Sequence, residues 1–133
     1  MQVYISHASQ DRALAKELAK RLSQAGLDVW NPYDEIYPGD NRAKLIGQAL
    51  EDSDLMLVLI TPGAFDSEWL RSEIEYALTS KHYQDRLISV LVGTTFEAIR
   101  EVPWILQQLP HLEVHTIEAG ASAVIKEVQA LVQ

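Results

Sequence analysis

The chain has no cysteine among its 133 residues. That excludes disulfides, a thiol nucleophile and thiolate metal ligands, and it fits a reducing, cytoplasmic setting. No run of 18 apolar residues is present, so no transmembrane helix is expected. The N-terminus lacks the basic-then-apolar layout of a signal peptide. Basic residues are also scarce. Eleven Lys and Arg stand against 19 Asp and Glu, a net charge of −8. Such a surface repels nucleic acid and anionic membranes, and neither is expected as a partner. It repels small anions at long range too. A phosphate-bearing ligand must then be held locally, by backbone N–H donors, a helix N-terminus or a single Arg. His7, His82, His111 and His115 are scattered, with no metal-ligand spacing to the carboxylates. They read as ordinary surface or strand-end residues, and no metal is expected. Repeats, low-complexity tracts and linkers are absent as well.

What remains is a regular alternation of strand and helix signals. The length suits one domain, 1–133, and 47% hydrophobic residues suffice for a core. Residues 3–6 are apolar and β-branched. Leu14, Leu18, Leu22 and Ala25 then recur at helical spacing up to Gly26, with Ser9 or Asp11 available as the cap. Residues 27–30 read as a second strand. The ten-residue loop 31–40 follows, and Asp40 can cap the next helix, which carries Ala43, Ile46 and Leu50. Residues 55–60 and 87–92 are continuous apolar runs, as central strands covered on both faces require. Pro103 and Pro110 limit residues 96–109 to short turns. Residues 113–117 read as a more polar edge strand, and Val124, Val128 and Leu131 mark a last helix. This order predicts a three-layer α/β fold of flavodoxin-like type, a five-stranded parallel sheet with helices on both faces. The chain ends with its last helix, which is compatible with a domain cut from a larger protein.

One helix carries the most informative residue. Across residues 66–81, Leu70, Ile74, Ala77 and Leu78 share a core-facing stripe, with Glu68, Arg71, Ser72 and Glu75 opposite. Glu73 sits at the edge of the stripe, one turn from Trp69 and Tyr76. A carboxylate half withdrawn from water beside two rings is either a boundary residue reaching solvent along its stem or a functional acid. In a doubly wound sheet the ligand crevice lies beyond the carboxyl ends of the strands. Loops 6–11, 31–40, 61–66 and the stretch after Val92 reach that edge. The first offers Ser6, His7 and Ser9 for a phosphate or ribose contact, or merely for N-capping. Trp30 is either a core ring or a stacking surface in the crevice. The long loop 31–40 is of a length that tends to be functional.

The order of Val3-Tyr4-Ile5-Ser6-His7-Ala8-Ser9, Val29-Trp30, Pro38-Gly39-Asp40, the strand 55–60 and Ser67-Glu68-Trp69-Leu70-Arg71-Ser72-Glu73 closely resembles the Toll/interleukin-1 receptor (TIR) domain family, in its bacterial form. The resemblance covers nearly the whole chain. It implies cleavage of NAD at the nicotinamide glycosidic bond, with Glu73 in the catalytic position. Trp69, Ser6, His7, Ser9, Trp30, Asp34, Gly39 and Tyr76 are the implied substrate contacts, and NAD enters as substrate with no cofactor. The family's loop corresponding to 31–40 gates the site and contacts neighbouring subunits. Self-association or pairing with other TIR domains is therefore implied, in a defence or cell-death signalling setting. Other members act as non-catalytic adaptors, which is the alternative reading. Two departures stand out. Asn31-Pro32 occupies the place where many members have an Asp, with Asp34 and Glu35 slightly later, and Ala8-Ser9 stands where some animal members have two Arg. A phosphoacceptor receiver is excluded, because Ser6-His7 and Thr61-Pro62 stand where its acidic residues belong. A flavodoxin-like carrier would need a richer Ser/Thr/Gly first loop. A nucleoside deoxyribosyltransferase-like enzyme would share the single-Glu logic.

Overall fold

A computed structural model describes residues 1–100 and 102–132, with all their side chains except those of Tyr33, Asp34 and Val132. Five strands, β1 (Gln2–Ser6), β2 (Asp28–Trp30), β3 (Leu55–Ile60), β4 (Leu87–Val92) and β5 (His111–Val114), form one sheet in the order β2-β1-β3-β4-β5. Every pairing is parallel. Among the described residues, six α-helices connect or follow them: α1 (Arg12–Gln24), α2 (Pro32–Glu35), α3 (Arg42–Asp52), α4 (Glu68–Thr79), α5 (Trp104–Gln108) and α6 (Ile117–Val132). The three-layer, five-stranded parallel sheet expected from the alternation is what forms.

Strands β3 and β4 are buried at every position, because helices cover both faces of the sheet. On one face Val3, Ile5, Leu57, Leu59 and Val90 pack with Leu18, Leu22, Val124 and Val128 of α1 and α6. On the other, Tyr4, Met56, Val58 and Ile60 pack with Ile46 of α3, Leu70 and Ile74 of α4, and Leu106 of α5. Strand residues alternate between these two clusters because successive side chains point to opposite faces.

Several local expectations are corrected. Ser9 and Asp11 make no side-chain cap on α1. Asp11 is buried and accepts instead from Thr61 Oγ1 at 2.6 Å. Asn41, not Asp40, caps α3 by accepting from the Lys44 N–H at 3.2 Å. Asp40 closes its own turn by accepting from the Tyr37 N–H at 2.8 Å. Loop 31–40 is not wholly irregular, since Pro32 opens the short helix α2, where its missing N–H costs no hydrogen bond. The last strand is His111–Val114 rather than 113–117. Thr116 leaves it because its hydroxyl accepts from the Ala119 N–H at 3.0 Å and starts α6.

Candidate active site

The sheet order reverses at β1, which has β2 on one side and β3 on the other. The crevice of such a fold opens beyond the carboxyl ends of the strands at that point. A cleft of about 240 Å³ lies there, lined by His7, Ser9, Pro32, Arg42, Ser67, Trp69 and Glu73. Three connections supply it, those following β1, β2 and β3. The stretch after Val92, expected to reach the same edge, contributes no lining residue.

Helix α4 sets the position of Glu73. Gly63, at φ +84°, turns the chain after β3, a left-handed conformation that glycine adopts without penalty. Ser67 then caps α4 by accepting from the Leu70 N–H at 3.2 Å. Leu70, Glu73, Ile74 and Ala77 follow at i, i+3, i+4 and i+7, and all four are buried. Glu73 therefore belongs to the core stripe and not to its edge. It is 4% exposed, not half withdrawn.

A buried carboxylate needs donors, and β1 provides two. Ser6 Oγ donates to Glu73 Oε1 at 2.8 Å, and Tyr4 Oη donates to Oε2. Burial pushes the Glu73 carboxyl above the usual carboxylate range. The hydrogen bonds from Tyr4 and Ser6, the Trp69 indole one turn earlier on α4, and the nearby Arg42 guanidinium act in the opposite direction. Burial, reinforced by the charge of Glu73, raises the Tyr4 phenol as well, so it stays a donor. The result is an acid in a cleft at the mouth of the sheet, held by fixed donors.

The other expected contacts divide. His7 and Ser9 line the cleft, and His7, directly after the end of β1, is buried there. Trp69 lines it with 45% of its surface open. Ser6 is fully buried and faces Glu73, not the open cleft. Trp30 is half-buried and stacks on Tyr4, ring centroids 5.4 Å apart at 14°. It packs against the core cluster and is not among the cleft's lining residues. Tyr76 turns away to meet Tyr83 edge-on at 6.1 Å. Gly39 lies outside the cleft lining in an exposed turn, at φ +94°. The Asp34 side chain lies outside the described residues. Tyr4 and Arg42 were not anticipated. A tyrosine between Val3 and Ile5 of a buried strand is a signal that a buried hydroxyl needs a partner. Arg42 is set by fold alone, at the first turn of α3 where the loop returns to the crevice.

Larger hollows lie elsewhere. One of about 430 Å³ runs along α4, lined by Phe65, Arg71, Ile74, Glu75, Leu78, Thr79 and Pro103, but Glu73 does not reach it. Among the described residues, no three His, Asp or Glu side chains gather in a way that would hold a metal ion. No described helix is long and apolar enough to cross a membrane.

Fold and site together define a doubly wound domain that presents one buried glutamate at its switch point. The family model described as "TIR domain" matches residues 3–125, and the chain belongs to the TIR domain family. It is 32% identical over 109 residues to the NAD(+) hydrolase TcpA of Theionarchaea archaeon (strain DG-70-1), covering 78% of this chain and 32% of that protein. It is 27% identical over 119 residues to the 2' cyclic ADP-D-ribose synthase BtTIR of Bacteroides thetaiotaomicron, covering 86% and 42%. The chain thus spans less than half the length of either relative. The TIR domain of the Toll-related Receptor TRR-2 from Hydra magnipapillata superposes with a TM-score of 0.76 over 98% of both chains at 20% identity, a likeness of fold.

Proposed function

We propose that this domain cleaves NAD at the bond between nicotinamide and ribose, releasing nicotinamide; water then bonds to the anomeric carbon to give ADP-ribose, or a hydroxyl of the substrate does so to give a cyclised ADP-ribose. The observation that carries this reading is Glu73, a buried carboxylate held by two hydroxyls in a cleft at the sheet's switch point. The names of the two relatives support it.

The chemistry asks little else of the protein. The nicotinamide of NAD is cationic and leaves as a neutral molecule, so its departure needs no general acid, unlike that of an ordinary glycoside. The transition state moves positive charge onto the ribose ring. A fixed carboxylate stabilises that charge, accepts hydrogen bonds from ribose hydroxyls, or forms a transient covalent bond. Trp69 offers an exposed indole face to a flat ring. Arg42 supplies a local cation on a domain of net charge −8, which suits an anionic dinucleotide. NAD is a substrate in this account, and no cofactor takes part.

The cleft is smaller than the roughly 300–1,000 Å³ that holds a drug-sized ligand. We assign to it the nicotinamide riboside end of the dinucleotide, and the remainder needs further walls. Loop 31–40, placed beside the cleft through Pro32, supplies them in our account when a second TIR domain packs against it. Self-association thereby raises the competent fraction. The setting we propose is cytoplasmic defence or cell-death signalling. The test is to incubate concentrated protein with NAD and follow free nicotinamide by chromatography. Release is expected. Protein inert at every concentration would favour the alternative, a non-catalytic module that binds other TIR domains.

A further inference from the structure

We propose that Tyr4 is a positioning residue, whose hydroxyl, paired with that of Ser6, fixes the Glu73 carboxylate in its reactive orientation. This rests on Glu73 being the reacting group.

The geometry is that of a clamp. Tyr4 and Ser6 stand two residues apart on β1, so both point to the same face of the sheet. Each donates to a different oxygen of Glu73. Both are fully buried and Glu73 is 4% exposed, so water cannot replace either hydroxyl. The Tyr4 ring cannot swing away, because it stacks on Trp30 and sits in a strand hydrogen-bonded on both sides. A phenylalanine would fill the same space between Val3 and Ile5. The hydroxyl is surplus to packing, and its one described hydrogen bond goes to Glu73.

The electrostatic consequence follows from burial. Desolvation favours the neutral acid, and the hydrogen bonds from Tyr4 and Ser6, with the Trp69 indole, oppose it. Among the described residues, the charged and titratable groups that act on Glu73 or line its cleft are Tyr4 of β1, Arg42 of α3, Tyr83 beyond α4, and His7. Arg42 also favours the carboxylate. Removing the Tyr4 hydroxyl leaves desolvation less opposed, so the carboxyl takes up its proton at a higher pH.

The experiment measures Tyr4→Phe in the whole chain with two readouts. The first is the pH profile of nicotinamide release from pH 5.5 to 8.5. The second is the ¹³C titration of the Glu73 side-chain carboxyl, assigned by its loss in Glu73→Gln. We expect the acid limb and the titration midpoint to move up together. Activity should fall about tenfold at pH 6 and recover most of that loss by pH 8.5. A merely structural role would lower activity evenly and leave both midpoints in place, which would overturn the proposal. A shifted titration with an unshifted acid limb would overturn the catalytic part of it. A shifted titration in a protein that does not cleave NAD would uphold the clamp and reject the NAD reading instead. Should Tyr4→Phe fail to fold, Ser6→Ala is read by the same two criteria.

Discussion

Glu73 is held in the core at a cost to the fold. Burial raises its carboxyl above the usual range, so the folded state binds that proton more tightly than the unfolded chain does. Below the unfolded value of 4.5 the group is neutral in both states and imposes no penalty. As pH rises through the raised folded value, ionisation in the core destabilises the protein. Glu73→Gln, neutral at every pH, should therefore melt a few degrees above wild type at pH 7.5. The difference should shrink as the pH is lowered towards 4.5. Thermal melts across that range check this, and a variant less stable than wild type at neutral pH would contradict it. The sequence alone singles out Glu73, because it stands one turn from Trp69 on an amphipathic helix. Its depth is less legible. Spacing puts Glu73 at the edge of the stripe, whereas positions 70, 73, 74 and 77 form one buried stripe in the fold. What sinks it is Tyr4 and Ser6 on another element, 69 and 67 residues away in sequence, and periodicity carries no information about partners so distant.

At the scale of elements, the interior was the most legible part. The apolar runs 55–60 and 87–92 announce buried parallel strands and become β3 and β4. Ends and caps were less so. Asp40 and Asn41 are both competent caps, and the choice between them depends on how the turn closes. Two glycines separate local propensity from packing. Gly47 lies within α3 with nothing near where a Cβ would stand. Gly120 of α6 faces Val114 of β5, whose Cγ1 would lie 2.3 Å and whose Cβ 2.4 Å from an added Cβ. Gly47→Ala should stabilise by about 0.5–1 kcal/mol, through helix propensity. Gly120→Ala should destabilise by about 1–3 kcal/mol, because a β-branched strand residue cannot step aside. Denaturant unfolding measures both. Equal responses would show that α6 does not pack on β5 as described.

The molecule as a whole carries the cleft on one edge of its sheet, with loop 31–40 beside it. Tyr37 in that loop is 68% exposed and Gly39 adopts φ +94°, so the loop presents an aromatic on a turn that glycine permits. If a neighbouring domain completes the site, specific activity should rise with protein concentration. Gly39→Pro should abolish the rise, since proline holds φ near −65°. A flat dilution series from a monomer confirmed by light scattering would show a self-sufficient site. The placement of this loop was legible from its length and its Pro38-Gly39-Asp40 ending. Arg42 was not, since the turn that returns it to the crevice is set by the sheet order.

The negative charge of Glu73 is what NAD cleavage by this domain depends on most directly. Nicotinamide release from NAD, measured side by side for wild type and Glu73→Gln at pH 7.5 and high protein concentration, isolates that charge while keeping the size of the side chain. Release by wild type and a loss of about a hundredfold or more in the variant are expected, with the melting curve showing a folded protein. A folded Glu73→Gln that releases nicotinamide at the wild-type rate would contradict that dependence.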